Sequence, residues 1–549
     1  MPTNAKIRAM TDDRIGRASV FLASGTIVSR LLGFVKTALL AAVIGASGAG
    51  ANAFAAANQL PNTIYVVVAG GVLSAVLVPL IVRSAAHSDG GSAYINKVIT
   101  LGFTILAGAA VLATAFTPLL TLLIGSRMSD GVFSLAVAFG YWCLPQIFFY
   151  GMYSLLGEVL NARRVFGPFT WVPVLNNIVA LAGLAVFAVV FGSDPDGLRS
   201  AGEWSSGMIA LLAGSATLGV AIQALILFWF WRRAGLRYRP DFIWRGVGLR
   251  STAGVAGWTF GMLLLTTGAG FVETSVVGVS ASVADEASVY ALQTAWLIFM
   301  LPHSVITVSI ATAYFTRMSE HAAIGAIDRV RADLSSAIRG VGVIIVIAAA
   351  VLIVCAYLFA RVFTTVEPLI WSLGNVIIAY VVGLVGFSIL FVVQRTYYSL
   401  GDTKTPFFFT LIQVVLFIAG ALACIALPSS WVAFGIALVT TIAGTVQLIL
   451  AVVLLRRRIG PLDGRRITVT FARSGIALVL PLIAGIALLA LLGGTDPQGF
   501  ALSSVFGAIV SMVIIGAVMA ILYFGILWLL RSPELRGFAT PIFARIRRR

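Results

Sequence analysis

The chain has 549 residues, of which 60% are hydrophobic and only 10% charged, with a mean hydropathy of +1.03 and a formal net charge of +17. That composition excludes a water-soluble globular chain and predicts an all-α polytopic membrane protein. Segments of about ten residues with alternating hydrophobicity, the mark of an outer-membrane barrel, are absent.

A bilayer-spanning helix needs roughly 20 mostly apolar residues, and fourteen such runs follow one another. Residues 1–17 form a polar leader with Asp12, Asp13, Arg14 and Arg17, and the apolar run behind it is too long for a signal-peptide core. Span 1 (18–45) contains Arg30 and Lys36. On a straight helix Arg30 lies near the middle, Lys36 lies about 13 Å from the outer end, and the two are about 240° apart. Ionisable residues at such depth usually face a cavity or a partner. For Lys36 the readings are cavity function or snorkelling; for Arg30 they are capping a neighbouring helix's carbonyls or binding ligand. Span 2 (50–83) groups Asn52, Asn58, Gln59 and Asn62 around Pro61. These amides suit interhelical hydrogen bonds or the lining of a polar cavity. Spans 3 to 6 (96–124, 131–161, 167–192, 206–232) complete a first lobe, in which Glu158 precedes Arg163 and Arg164 as in an end-of-helix ion pair.

The stretch WRRAGLRYRPDFIWRGVGLR, Trp231 to Arg250, mixes six arginines with Trp231, Tyr238, Phe242 and Trp244. Such a composition suits an interfacial segment on the inner leaflet, with a solvated linker as the other reading. Span 7 (251–281) carries Glu273, either a protonated structural carboxyl or a proton or cation site. Spans 8 to 12 (286–316, 335–363, 370–400, 406–427, 431–455) and the closing pair 13 and 14 (470–493, 502–530) follow. The expected organisation is a leader (1–17), an N-terminal lobe (18–232), a basic linker (233–250), a C-terminal lobe (251–458), a helix pair (470–530) and a basic tail (531–549).

Charge placement predicts topology. Five of the 37 Lys+Arg are exceptions: Arg127, Arg199 and Arg361 on odd-numbered turns, and Arg30 and Lys36 within span 1. All others fall on the leader, the even-numbered turns with their adjoining span ends, or the tail. This bias predicts cytoplasmic N- and C-termini and contact with anionic phospholipids, rather than a nucleic-acid partner. Cys143, Cys355 and Cys424 lie in predicted spans without a C-x-x-C pair, so neither disulfides nor a metal site is expected. No phosphate-binding loop, H-E-x-x-H or usable G-x-S-x-G occurs, so the chain reads as a transporter rather than an enzyme, without a bound cofactor.

The chain also repeats itself. Gly33-Phe34-Val35-Lys36-Thr37 returns 237 residues later as Gly270-Phe271-Val272-Glu273-Thr274, Leu60-Pro61 returns as Leu301-Pro302, and the segment 162–169 aligns with 400–407. Three matches in one order at nearly one offset predict two parallel six-helix lobes, a plan that in transporters places the substrate between them.

SRLLGFVKTALLAAVIG (Ser29 to Gly45), NAFAAANQLPNTIYVVVAGGVLSAVLVP (Asn52 to Pro79) and LGDTKTP (Leu400 to Pro406) resemble the MurJ/MviN family, the lipid II flippases of bacterial peptidoglycan synthesis. The resemblance implies the multidrug/oligosaccharidyl-lipid/polysaccharide exporter fold and a bacterial plasma-membrane location. By the same resemblance, Lys36 stands where the family has a cavity arginine, with Thr37 in place of the neighbouring acid. Tyr65 and Leu297 replace two further arginines, and Asn52 and Gly70 replace acids. It therefore implies Lys36 at the diphosphate, with Arg30, Asn52, Gln59, Asn62, Tyr65 and Gln293 as further substrate-binding candidates. Glu273 is the ion-coupling candidate, for a cation or a proton. The expected activity is translocation of lipid II, or a related polyprenyl-diphosphate-linked saccharide, to the outer leaflet by alternating access. The alternatives are a cation-coupled exporter of drugs or of another lipid-linked oligosaccharide, and a non-transporting scaffold for cell-wall synthesis proteins.

Overall fold

A computed structural model of the protein describes residues 24–25, 28–68, 92–163, 165, 167–243, 253–280, 286–494 and 496–535. Among the described residues there is no strand. Twelve helices or consecutive helix pairs among the described residues, from Tyr94–Ala115 to Val505–Leu529, are long and apolar enough to cross a membrane, and they correspond to predicted spans 3 to 14. The described parts of spans 1 and 2 are also helical; residues 18–23 and 69–83 of those spans lie outside the described residues. The helical content follows from the solvent, because a backbone surrounded by hydrocarbon must satisfy its own polar groups. Outward faces accordingly carry exposed Val189, Ile483 and Ile521.

In chain order the helices are α1 (28–44), α2 (Gly48–Val68), α3 (Ser92–Ala115), α4 (Thr117–Gly125), α5 (Asp130–Cys143), α6 (Gln146–Ala162), α7 (Gly167–Phe191), α8 (Ser206–Leu225) and α9 (Leu227–Arg233). They continue as α10 (Ala253–Val277), α11 (Val289–Pro302), α12 (Val308–Ala323), α13 (Ile327–Val354), α14 (Ala356–Phe363), α15 (Glu367–Val381) and α16 (Leu384–Ser399). The last are α17 (Lys404–Ala423), α18 (Ser429–Ile459), α19 (Gly464–Leu491), α20 (Phe500–Ser503) and α21 (Val505–Leu529).

The chain forms two compact units, residues 1–267 and 268–549, with α10 divided between them. Within unit 1, α2 packs on α5 and α6, α3 on α6, and both α6 and α7 on α8. Within unit 2, α11 packs on α15, both α12 and α13 on α16, and α15, α16 and α17 on α18. In terms of spans, each unit pairs its second and third helices with its fourth, and its fourth and fifth with its sixth. The repeat seen as three short sequence matches is thus a repeated packing plan.

The fourth span of each unit is interrupted at the same place in this plan. Between α5 and α6, Pro145 has no N–H to donate, and the Ile147 and Phe148 N–H groups turn to carbonyls three residues back. The Trp142 carbonyl instead accepts the Thr217 hydroxyl of α8 at 2.7 Å. Between α15 and α16 the Ala379 carbonyl accepts the Thr441 hydroxyl of α18, also at 2.7 Å. A threonine on the sixth span therefore satisfies a carbonyl beside the break in both units.

Turns are held by close backbone approach. Gly48, at φ +81°, faces the Gly197 backbone so closely that an added Cβ would come within 2.2 Å of the Gly197 carbonyl. The Asp194 N–H also donates to the Val43 carbonyl at 2.9 Å. In the LGDTKTP stretch, Asp402 accepts the Thr405 N–H (2.9 Å) and hydroxyl (2.7 Å) and pairs with Arg458 of α18. The motif is thus a helix start fastened to the end of another span.

Predicted spans 13 and 14 pack on each other as α19 and α21, on α13, and through α21 on α14. Their contact is apolar around Val343, Ile347, Ala477, Ile515 and Met519. Polar groups close both ends of it. At one end Arg339 pairs with Glu534 at 2.6 Å and Thr470 donates to the same carboxylate at 3.0 Å. At the other Arg361 donates to the Leu502 carbonyl at 2.7 Å. That bond explains one arginine on an odd-numbered turn. Another, Arg199, lies against the Trp204 ring at 5.6 Å.

The linker differs in part from the interfacial reading. Trp231 is buried, with its indole N–H on the Leu156 carbonyl at 3.1 Å, and Tyr238 meets Thr100 at 3.0 Å and the Phe103 ring. These two rings fill a gap within unit 1, where their polar atoms find partners. Phe242 and Ile243 are exposed, and residues 244–250 lie outside the described residues.

Candidate functional site

In unit 1 the candidates ride on α1 and α2. The Asn177 side chain of α7 donates to the Ser29 carbonyl at 2.9 Å, holding α1 beside α7. Arg30 follows and is exposed, with no hydrogen bond to a neighbouring carbonyl among the described residues. Lys36 is half-buried and has neither a hydrogen bond nor an ion pair among the described residues. Its neighbour Thr37 turns back onto the Gly33 carbonyl at 3.0 Å. A half-buried ammonium in an apolar helix keeps its charge only beside water or an anion.

The polar residues of α2 divide by depth. Asn52 is fully buried and donates to the Gly48 carbonyl one turn back at 2.8 Å, an intrahelical role. Asn58 accepts from Gln146 of α6 at 3.3 Å, and Gln146 in turn donates to Thr217 at 2.9 Å. Asn58 thereby joins the network at the break between α5 and α6. Gln59 is half-buried and Asn62 exposed. Tyr65 stacks at 5.8 Å on Tyr150 of α6 and lies at the edge of a core containing Leu155, Leu156 and Val159.

In unit 2, Glu273 of α10 accepts a hydrogen bond from the Tyr380 hydroxyl of α15 at 3.3 Å. Tyr380 is buried and packs against Trp296 at 5.5 Å and Phe299 at 6.1 Å, both on α11. Gln293, one turn before Trp296, is exposed. The arrangement places a phenolic donor on one carboxylate beside aromatic rings, a setting in which the carboxylate can hold a proton or a cation. Among the described residues no group of three or more His, Cys, Asp or Glu could hold a metal ion. The three cysteines are buried and free.

Sequence reasoning missed the partners Tyr380 and Gln146. The available signal was a polar side chain alone in an apolar run, which does not say what it meets. Glu273 and Lys36 occupy matching positions of the repeat, yet each is described in its own unit with different surroundings.

The family model for the lipid II flippase MurJ matches residues 40–525. Among curated proteins, the chain is 25% identical over 457 residues to a probable lipid II flippase MurJ of Rhizobium tropici, covering 80% of each chain. It is 26% identical over 458 residues to one of Haemophilus influenzae, covering 75% of this chain and 81% of the relative. Among solved structures, a lipid II flippase MurJ in an inward closed conformation aligns with a TM-score of 0.68 and 20% identity, over 92% of this chain and 99% of that one. An inward-facing multidrug resistance MATE family transporter of the MOP superfamily aligns with a TM-score of 0.61 and 15% identity, over 79% and 96%. At these identities the structural likeness establishes the fold.

Proposed function

The chain belongs to the lipid II flippase MurJ family, and from that premise we propose that it moves lipid II from the inner to the outer leaflet of the bacterial plasma membrane by alternating access. The observation that carries this reading is the match of the family over most of the chain, on a multi-pass fold built from two copies of one six-helix packing plan. Both termini face the cytoplasm in this reading, as the distribution of Lys and Arg supports.

Lys36 meets the diphosphate. Its support is physical: a half-buried cation with no protein partner among the described residues is available to an anionic head group. Arg30, Gln59, Asn62 and Gln293 add polar contacts for the sugar-peptide portion. Tyr65, at the edge of the unit 1 core, shapes its wall, while the fully buried Asn52 braces its own helix. The α19–α21 pair accommodates the polyprenyl tail. Glu273 takes up the coupling cation or proton. Anionic phospholipids meet the exposed arginines of the linker region, Arg232, Arg233, Arg237 and Arg239.

The test is reconstitution of the purified protein in liposomes containing lipid II, with leaflet exchange read by accessibility of the head group. Protein-dependent exchange supports the reading. Cation-coupled drug uptake without it would point instead to an exporter, and neither activity to a scaffold that recruits cell-wall synthesis proteins.

A further inference from the structure

Immediately after Pro302 the helix widens into a π-helical segment, His303–Thr307, before continuing as α12. A π turn holds one residue more than an α turn needs, and such turns collect at functional sites. His303 is buried, and its Nδ1 lies 3.1 Å from the Ser388 hydroxyl of α16. Its ring packs 4.7 Å from Phe387 and 5.3 Å from Phe391. The Thr307 hydroxyl, in the same segment, is buried without a hydrogen-bond partner among the described residues. On the far side of the cluster the Arg395 guanidinium lies 4.8 Å from the same Phe391 ring and 5.6 Å from Phe315 of α12.

We infer that His303 is a proton-binding site, and that its protonation displaces Arg395 from Phe391 and Phe315, freeing α12 from α16 at the π turn. The inference rests on the proposed transport only for its consequence. A serine hydroxyl can serve either protonation state, donating to a neutral imidazole nitrogen or accepting from an imidazolium N–H. Two phenyl rings within cation–π reach compensate part of the charge. Arg395 already uses one of those rings, so a second cation competes with it through Phe391. A π turn can absorb the resulting movement by passing its extra residue along the helix.

Among the described residues, the titratable groups on the helices packed against His303 lie at other levels. On α11 the nearest titratable side chain is Tyr290, about 20 Å away by helical rise, and on α12 Tyr314 and Arg317 lie roughly 16–21 Å away. Helix α13 runs antiparallel to α12, with Asp333 beside His321 at 2.8 Å. The level of His303 therefore falls about 18 residues further along α13, near Val351, in a stretch without a titratable side chain between Arg339 and Cys355. On α16, Arg395 is followed by Tyr397, whose hydroxyl donates to the Ala451 carbonyl at 2.9 Å, and by Tyr398, which interacts electrostatically with Arg395. Glu273 connects to this cluster through Tyr380, then Trp296 or Phe299, and Phe387.

The test is imidazole NMR of the full-length protein with labelled histidine, in which His87, His303 and His321 give three sets of signals. The set lost in His303→Gln should titrate reversibly between about pH 5 and pH 9. A His303 signal unmoved over that range overturns the proposal, whatever the protein transports. In lipid II liposomes, the wild-type rate should change at least about threefold between pH 6 and pH 8, and His303→Gln should flatten that change. Ser388→Ala, which keeps the imidazole, serves if His303→Gln does not fold, and should shift the NMR titration. A pH profile identical in wild type and His303→Gln also overturns the proposal. Absence of any lipid II exchange in the wild type overturns the transport reading alone and leaves the NMR titration to decide.

Discussion

The Tyr380 hydroxyl donates to the Glu273 carboxylate at 3.3 Å, joining α15 to α10 through the anion that stands where the first copy of the repeat has Lys36. The two copies of the repeat thus carry opposite charges at this position.

If Glu273 exchanges a proton during transport, Glu273→Gln should fold and bind substrate but turn over slowly, since it holds the protonated form. Coupling to a metal cation predicts instead that Glu273→Asp works and Glu273→Gln does not. Tyr380→Phe removes one hydrogen bond to a charged group, about 1.5–3 kcal/mol at most, and should slow exchange less than Glu273→Gln does. Unchanged liposome rates for both Glu273→Gln and Glu273→Ala from about pH 6 to pH 8, with no sodium dependence, would mean that the carboxyl is structural.

Lys36→Arg should sustain function and Lys36→Ala should lose it. The deleted charge-assisted contact is worth about 1.5–3 kcal/mol, or roughly ten- to hundredfold in substrate affinity. Growth of a strain depending on this gene alone reads the outcome, and unimpaired growth with Lys36→Ala would remove Lys36 from the substrate site.

Burial alone would raise the Glu534 carboxyl, but bonds from its own backbone, Ser532, Arg339 and Thr470 outweigh it and hold it below the ordinary glutamate range. A depressed carboxyl contributes stability above its unfolded value, and that contribution is lost as pH falls through the folded one. Glu534→Gln should therefore lower the thermal midpoint in detergent at neutral pH, at a cost of about 3 kcal/mol for leaving Arg339 without its charge. The gap between wild type and variant should narrow on acidification below about pH 4. A gap that is constant with pH would show that the pairing contributes nothing.

Gly48→Ala should destabilise by about 2 kcal/mol or more, because the new Cβ meets both a positive φ and the Gly197 carbonyl. Gly202→Ala, where an added Cβ meets nothing within 4 Å, is the control and should melt like the wild type. Equal midpoints for the two variants would contradict the close packing of this turn.

The sequence by itself determined the membrane class, the spans from the third to the fourteenth, the family and the doubling of a six-helix unit. Each of these is local or periodic: apolar length is set by bilayer thickness, and the three repeat matches lie at nearly one offset along the chain. Partners of polar groups were not legible, because a helix 20 residues long presents its side chains in every direction and sequence does not state which neighbour each one meets. Only the tertiary structure decided that Asn52 bonds within its own helix while Asn58 reaches Gln146, and that Trp231 and Tyr238 fill the core of unit 1 rather than the lipid surface. It likewise decided that Glu273 meets a tyrosine and that His303, a single letter beside a proline in an apolar run, sits in a π turn against Ser388. In hydrocarbon an unpaired polar group is costly, which favours pairing, and the packing of the spans selects the partner.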